Sequence, residues 1–144
     1  MVKCILILNG PNLNMLGTRE PELYGEQTLD DIKNICSDRA SKLGLTIDFR
    51  QSNAESELVH WIQQAPKNNS AIILNAGAYT HTSIAILDAL RLTGVPIVEV
   101  HLSNIFQREE YRHTSFVSKA AHGVICGFGS NGYELALDAT AKLI

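Results

Sequence analysis

The amino-acid sequence predicts an α/β protein in which a five-stranded parallel sheet lies between two layers of helices. Short apolar runs alternate along the chain with amphipathic helical patterns of about ten to sixteen residues. The first run, residues 5–8, is continuously apolar, as in a strand that is buried on both faces of a parallel sheet. Strands and helices that alternate in this way favour right-handed crossovers, with helices on both faces of the sheet.

Five strands in such a sheet most often take the flavodoxin-like order, so we expect a flavodoxin-like three-layer sandwich. The chain has 144 residues, 45% of them hydrophobic and 19% charged, which fits one domain over residues 1–144. The net charge is -3 and the lysines and arginines are scattered, so we expect neither a nucleic acid nor an anionic membrane as partner. The apolar runs are too short to span a bilayer.

Cysteine usage predicts the compartment. Cys4, Cys36 and Cys126 form no Cys-x-x-Cys pair, and two of them fall inside predicted strands. This favours core thiols in a reducing compartment over redox or metal roles. The first apolar run stops at Asn9 without the cleavage site of a signal peptide. We therefore expect a cytoplasmic protein.

The first strand leads into a long loop, punctuated by glycine and proline, that ends at Thr28. Loops of this length in compact domains are usually lids or binding loops, so we expect the segment 18–26 to be a substrate lid. Thr28 is the predicted N-cap of a helix whose apolar positions repeat to residue 43, before Gly44 ends it. Residues 45–51 alternate between apolar and polar, which predicts a second strand at an edge of the sheet.

The rest of the chain continues the alternation. A helix that starts in the segment 52–57 is predicted to end at Pro66, and a later one at Gly94. The other predicted elements are a strand at 71–74, a helix at 84–92, a strand at 96–102, a strand at 124–126 and a helix from about Tyr133 to the C-terminal residue.

Polar residues collect where the predicted strands end, and this places the candidate site. In open parallel sheets, ligands bind beyond the carboxyl ends of the strands. Those ends carry amides, hydroxyls, imidazoles and glycines, in the segments 9–14, 52–53, 75–81, 101–104 and 127–131. The opposite ends, near Gly44, Pro66 and Gly94, carry only helix stops.

Several kinds of chemistry lack suitable residues. No lysine has a good position for a Schiff base, and no closely spaced histidine or aspartate cluster predicts a metal site. Asn75 stands where a phosphoacceptor domain would need an aspartate. The glycines at 127, 129 and 132 follow the last strand, so we interpret them as a tight turn instead of a dinucleotide-binding loop. Acid–base chemistry on a small, polar, anionic molecule remains.

Two residue pairs could supply that chemistry. His101 ends a strand, and Glu99, two residues earlier, shares its face. A carboxylate beside an imidazole fixes its tautomer and favours the protonated form that a general acid needs, although a core histidine paired with a glutamate would give the same pattern. Tyr24 and Arg19 lie on the predicted lid. A tyrosine, with an ordinary pKa of about 10, becomes a base near neutral pH only if a cation such as Arg19 lowers that value; otherwise both are surface residues.

Four separated motifs closely resemble those of the type II 3-dehydroquinate dehydratases, and a fifth, GFGSNGY at 127–133, also matches. The four are GPNLNMLGTREPELYG at 10–25, NAGAYTHTS at 75–83, EVHLSN at 99–104 and REEYRH at 108–113. The resemblance covers essentially the whole chain. It departs from the family pattern at Ala76, where proline is usual, at Leu87, where arginine is common, and at Thr114, where a second histidine often follows. Leu87 leaves the detail of a subunit contact open.

The resemblance implies an activity, without metal or cofactor. The reaction would convert 3-dehydroquinate to 3-dehydroshikimate by anti elimination through an enolate, a step common to the shikimate pathway and to quinate breakdown. Tyr24 would be the base, with Arg19 lowering its pKa, and His101, supported by Glu99, would protonate the departing hydroxyl. Asn12 would hold a water near the enolate oxygen.

Substrate contacts and an assembly are also implied by the resemblance. The substrate-binding residues would be Leu102 and Ser103 for the carboxylate, Asn75, His81 and Arg112 for the ring hydroxyls, and Asp88 reaching in from a neighbouring subunit. The subunits would form trimers that assemble into a dodecamer.

Two rival interpretations belong to other functional classes. A flavodoxin-like module that binds a nucleotide or phosphate would need a cradle of consecutive backbone donors after the first strand, where Pro11 has no N–H group. The second rival interpretation is a catalytically silent assembly protein. The presence of Tyr24, Arg19 and His101 argues against it.

Overall fold

The computed structural model describes residues 1–18, 22 and 26–144, and in this part of the chain five strands form a parallel sheet. The strands are β1 (Cys4–Asn9), β2 (Thr46–Gln51), β3 (Ala71–Asn75), β4 (Ile97–His101) and β5 (Gly123–Cys126). Their order across the sheet is β2-β1-β3-β4-β5, with every neighbouring pair parallel. This is the predicted flavodoxin-like order, and the second strand lies at an edge as predicted.

Helices cover both faces of the sheet. They are α1 (Leu29–Lys42), α2 (Glu55–Asn68), α3 (Ile84–Thr93) and α4 (Asn131–Ala141). Side chains of α1 and α4 pack in one apolar cluster, and those of α2 and α3 pack in a second cluster on the opposite face. The predicted three-layer sandwich is therefore confirmed.

The four-residue apolar run of β1 serves both layers. Ile5 and Ile7 belong to the cluster under α1 and α4, whereas Leu6 and Leu8 belong to the cluster under α2 and α3. All four side chains are buried, because successive residues of a strand point to opposite faces. Each face of β1 thus needs an apolar residue at every second position.

Local capping sets the helix ends that the sequence predicts. The Thr28 hydroxyl accepts from the Asp31 N–H over 3.2 Å, and the Asp31 carboxylate accepts from the Thr28 N–H over 3.0 Å, which forms a capping box at the start of α1. Gly94 follows α3 with a φ of 72°, in the left-handed region where a residue without Cβ is unstrained.

Several predicted boundaries were wrong, most of them by one or two residues. Pro66 does not end α2, which runs on to Asn68, because a proline in the last turn removes one N–H donor and leaves the bond from the Asn69 N–H to the Ala65 carbonyl in place at 2.8 Å. The last helix begins at Asn131, before Tyr133, and ends at Ala141. The fifth strand starts one residue early, at Gly123.

The apolar residues of α3 lie on two sides that differ in exposure. Ile86 and Leu90 are buried against the sheet, and Leu87 is only 5% exposed. Ile84 and Leu92 are exposed. Leu87 therefore belongs to the interior of this chain, and the surface of α3 carries other apolar residues.

Two further expectations concern the state of the cysteines and the absence of a membrane span. Cys36 is fully buried, Cys4 and Cys126 lie in strands and are partly buried, and all three are free thiols. Within the residues that the structure describes, no helix combines the length and the hydropathy that crossing a bilayer requires.

Candidate active site

A cavity of about 130 Å³ opens at the carboxyl ends of β1, β3 and β4, where the sequence places the candidate site. Its polar and basic lining comprises Asn12, Asn75, His81, His101, Ser103, Arg108 and Arg112. Leu13, Leu16 and Ile105 supply apolar walls. Among the described lining residues there is no carboxylate, so the walls favour an anionic ligand with several hydroxyl groups.

The predicted pair of His101 and Glu99 is present at the end of β4. Glu99 is fully buried and His101 is 5% exposed. The imidazole Nε2 of His101 donates to Oε2 of Glu99 over 2.5 Å. Only His101 lines the cavity, and Glu99 lies behind it.

Two serines complete the surroundings of Glu99. The Ser115 hydroxyl donates to Oε2 over 2.8 Å, and the Ser118 hydroxyl donates to Oε1 over 2.5 Å. Burial would raise the pKa of Glu99, but the hydrogen bonds from His101, Ser118 and Ser115 together hold that pKa below its ordinary value of 4.5. The carboxylate is therefore ionised, and it keeps a proton on Nε2 of His101. Nδ1 is the ring nitrogen that can exchange a proton with a ligand.

His81 lies beside His101 with its ring nearly parallel, at a centroid separation of 6.5 Å. Its Nδ1–H donates to the Thr114 carbonyl over 2.8 Å. Burial lowers the pKa of His81, and the nearby His101 and Arg112 lower it further, against the raising effect of the Thr114 carbonyl. His81 is thus held in the neutral form, with Nε2 as a hydrogen-bond acceptor.

Asn75 is fixed from below by a buried tyrosine. Its Oδ1 accepts from the Gly77 N–H over 3.2 Å, and its Nδ2 donates to the hydroxyl of Tyr133 over 3.0 Å. The Tyr133 hydroxyl in turn donates to Oδ1 of Asn9 over 2.6 Å. Asn75 therefore lines the cavity as a hydrogen-bond donor. The sequence interpretation missed Tyr133 and Asn9 as partners of Asn75.

Asn12 lines the cavity in a rarely populated backbone conformation. Its φ is 69°, and among the described residues Asn12 is the one non-glycine residue with a positive φ. The Asn12 N–H donates to Oδ1 of Asn53 over 2.9 Å, and Gln51 Nε2 donates to the same oxygen over 3.1 Å. Left-handed backbone at a site residue persists when its surroundings hold it, and Asn53 supplies that constraint.

The segment after β1 is not an open cradle for a phosphate. The N–H groups of Leu13 and Met15 donate to the carbonyls of Gly10 and Asn12, and the Asn12 N–H is taken by Asn53. Pro11 has no N–H to offer. These three N–H groups are used within the protein, so the segment lacks the run of consecutive backbone donors that the rival nucleotide-binding interpretation requires.

Two arginines flank the opening. Arg112, a predicted site residue, donates from Nε to the Glu109 carboxylate over 2.6 Å and lies over the Tyr111 ring. Arg108 also lines the cavity, although the sequence analysis did not select it as a site residue. Its place at the start of the REEYRH motif was the signal that could have identified it.

The structure brings most predicted site residues together. Leu102 and Ser103 line the cavity directly after His101. Asp88 lies apart, exposed on α3 and outside the cavity lining. Tyr24 and Arg19 lie outside the described residues. Within the described ranges, no group of three or more histidine, cysteine or acidic side chains is arranged to hold a metal ion.

Comparisons with known proteins agree on one family. The family model described as dehydroquinase class II matches residues 3–141. The 3-dehydroquinate dehydratase of Phenylobacterium zucineum is 56% identical over 143 residues, covering 99% of both chains. That of Brucella canis is 57% identical, covering 99% of this chain and 91% of the relative. The crystal structure of type II dehydroquinase from Propionibacterium acnes superposes with a TM-score of 0.94 at 46% identity, covering 99% of this chain and 98% of that one.

Proposed function

The chain belongs to the class II dehydroquinase family and dehydrates 3-dehydroquinate, and from this premise we propose how its residues carry out the reaction. The route is an anti elimination through an enolate that yields 3-dehydroshikimate. The observation that carries it is the His101–Glu99 pair on a cavity whose described lining holds two arginines and no carboxylate. The route moves protons and breaks one carbon–oxygen bond with no net oxidation or reduction, so it needs no redox group.

Tyr24 is the proposed base. As the phenolate, it removes a proton from the carbon beside the ketone, and the C–H electron pair forms the enolate double bond while negative charge moves to the ketone oxygen. Arg19 lowers the pKa of Tyr24 so that the phenolate exists near neutral pH. Asn12 holds a water that donates to the enolate oxygen, which stabilises the charge where it develops. The assignments of Tyr24 and Arg19 rest on the motif at 10–25.

His101 is the proposed acid. When the enolate re-forms the ketone, its electron pair makes the new carbon–carbon double bond and the bond to the departing hydroxyl breaks. Nδ1 of His101 gives its proton to that hydroxyl, which leaves as water. Nε2 keeps its proton, which stays hydrogen-bonded to Glu99. The imidazolium before the step and the imidazole after it therefore have the same orientation.

Substrate contacts follow from the charges and donors of the lining. We assign the substrate carboxylate to the backbone amides of Leu102 and Ser103 and to the Ser103 hydroxyl, all at the cavity wall. The ring hydroxyls meet complementary groups: His81 accepts through Nε2 and Asn75 donates through Nδ2. Arg112 completes the set as a cation beside the opening.

The decisive experiment mixes the purified, chelator-treated protein with 3-dehydroquinate and follows ultraviolet absorbance, with a borohydride-treated sample alongside. We expect a growing band of the conjugated enone carboxylate that neither chelator nor borohydride affects. Tyr24→Phe should bind substrate with almost no turnover, and His101→Ala should lose the dehydration step. Absence of the band, together with a nucleotide released on denaturation, would favour the nucleotide-binding module instead.

We also propose that the chain forms trimers, that four trimers assemble into a dodecamer, and that the protein is cytoplasmic. Asp88 is exposed on α3, where a neighbouring subunit could receive it, and Ile84 and Leu92 are exposed apolar residues of the same helix. Light scattering after size-exclusion chromatography tests the assembly. A monomer with full activity would contradict both the assembly and the role of Asp88 across subunits.

A further inference from the structure

The segment from Thr114 to Ser118 contacts the partners of both histidines. The Thr114 carbonyl accepts from His81, and the hydroxyls of Ser115 and Ser118 donate to Glu99, the partner of His101. Val117 is fully buried in the cluster under α2 and α3, so it anchors the segment between the two serines. The proposed reaction uses Glu99 but assigns no role to Ser115 or Ser118.

We propose that Ser115 and Ser118 are positioning residues of the dehydration, because their hydroxyls hold the Glu99 carboxylate as an acceptor aimed at Nε2 of His101. The proposal rests on the proposed function for its catalytic consequence. Its structural part, the control of Glu99 and of the His101 tautomer, is independent of any substrate.

The two serines donate to different oxygens of the Glu99 carboxylate. Oε2 is shared by His101 and Ser115, and Oε1 accepts from Ser118. Donors on both oxygens fix the plane of the carboxylate as well as its charge. Ser115 is itself positioned, because its hydroxyl oxygen accepts from the Ser118 N–H over 3.1 Å. The pair therefore forms one local unit around Glu99.

A fully buried carboxylate needs these donors to stay ionised. Without them, desolvation favours the protonated acid. A protonated Glu99 would donate to Nε2 instead of accepting from it, which shifts the neutral imidazole to the tautomer with its proton on Nδ1. It would also cease to stabilise the imidazolium of His101, which the acid step consumes. Loss of the hydroxyls should thus lower kcat more than it changes KM.

Other titratable groups surround this unit. On the same strand, His101 contacts Glu99 directly. From the turn after β3, His81 lies beside His101, and the charges of His101 and Glu99 act on the pKa of His81 in opposite directions. Arg112 is the charged side chain that acts on His81 from the segment after β4. A pH titration must therefore observe Glu99 itself and not infer it from activity.

The test compares Ser118→Ala with four reference proteins: wild type, Ser118→Thr, Val117→Ala and Ser37→Ala. Ser118→Thr keeps the hydroxyl, Val117→Ala loosens the segment without removing a donor, and Ser37→Ala removes an exposed hydroxyl on α1. The readouts are the pH titration of the Glu99 carboxyl by carbon NMR, the His101 tautomer by nitrogen NMR, and kcat and KM against pH. Ser115→Ala is measured in parallel.

In Ser118→Ala we expect the midpoint of the Glu99 titration to lie at higher pH, because the carboxylate loses a hydrogen bond. The proton concentration at the midpoint should be roughly tenfold lower than in wild type. The acid side of the profile of kcat against pH should also shift to higher pH. At low pH, kcat should be roughly tenfold lower than in wild type, with little change in KM. Ser118→Thr should restore both, and Val117→Ala and Ser37→Ala should leave the Glu99 titration unchanged.

The result that overturns the proposal is a Glu99 titration that does not move in Ser118→Ala, or one that moves equally in Val117→Ala. Either would assign the serines to folding alone. If wild type shows no turnover of 3-dehydroquinate, the proposed function fails, yet the NMR titrations still decide the role of the serines. The two failures are thus distinguishable.

Discussion

The amide of Asn75 donates to the hydroxyl of Tyr133 over 3.0 Å, and both side chains are buried. Because a backbone N–H, that of Gly77, occupies the carbonyl end of this amide, its two ends cannot exchange. Gly77 and Tyr133 together therefore orient the Asn75 amide with its donor end toward the hydroxyl of Tyr133. Burial also raises the pKa of Tyr133 far above its ordinary value, so this phenol stays protonated and donates to Asn9.

We expect Tyr133→Phe to lower the free energy of unfolding by about 1–3 kcal/mol, because Nδ2 of Asn75 and Oδ1 of Asn9 lose the hydroxyl to which both are hydrogen-bonded. KM should rise more than kcat falls, since substrate contact is affected and the acid and base are not. Urea denaturation and steady-state kinetics measure the two effects. Tyr111→Phe, which removes a phenol from an exposed ring, is the control and should change neither.

The left-handed backbone of Asn12 gives a second prediction. Both Asn12→Ala and Asn12→Gly remove the side-chain amide, so both should lose turnover to a similar extent. Alanine keeps a Cβ, which the φ of 69° disfavours, and glycine has none, so Asn12→Ala should be less stable than Asn12→Gly by about 1 kcal/mol. Equal stability would mean that the loop relaxes out of the left-handed region. Full activity in either variant would remove Asn12 from the mechanism.

The buried carboxylate of Glu99 predicts how stability depends on pH. Burial acts to raise its pKa, yet hydrogen bonds from His101 and the two serines keep that pKa below 4.5 in the folded state. The resulting stabilisation is complete above about pH 4.5 and is lost as the pH falls through the folded-state value. Glu99→Gln removes the titrating group, so its free energy of unfolding should depend less steeply on pH in the acid range. Glu57→Gln, on the exposed side of α2, should keep the wild-type slope.

Gly10 joins β1 to the site and should tolerate no side chain. A Cβ there would lie 2.3 Å from the Ala76 carbonyl oxygen, while the Gly10 N–H bonds the Asn75 carbonyl at 2.8 Å. Relief of the clash must separate the ends of β1 and β3, so Gly10→Ala should destabilise by at least about 1–3 kcal/mol and reduce activity. Gly123→Ala meets no atom within 4 Å and serves as the control. Similar melting temperatures for the two variants would contradict this account.

Much of the fold follows from local patterns in the sequence. The apolar run at 5–8 predicts a strand buried on both faces, and Thr28, Gly44 and Gly94 predict helix ends, because each of these signals acts through neighbours in the chain. Pro66 failed as a signal for the end of α2, since its cost depends on how many turns follow it. The location of the site followed from one topological property, the common edge of parallel strand ends.

The supports of the site did not follow from the sequence. His101 and Glu99 are two residues apart on one strand, so their contact was predictable from strand geometry. Ser118 and Tyr133 reach their partners from distant segments, and their approach depends on tertiary packing that no local pattern encodes. Tyr133 was interpreted as the start of a helix and as the end of the motif at 127–133, and no partner was assigned to it, although a tyrosine hydroxyl in the core usually has a polar partner.

The bond between Tyr133 and Asn9 joins residues separated by 124 positions, almost the whole chain. During synthesis, β1 and β3 leave the ribosome long before α4 does, so Asn9 and Asn75 are made before the phenol that orients Asn75 exists. A polypeptide interrupted ahead of α4 therefore has the acid-bearing strand and the Gly77 contact of Asn75, but it lacks the phenol that accepts from Nδ2 of Asn75 and donates to Asn9. We therefore expect such a truncated chain to bind substrate poorly.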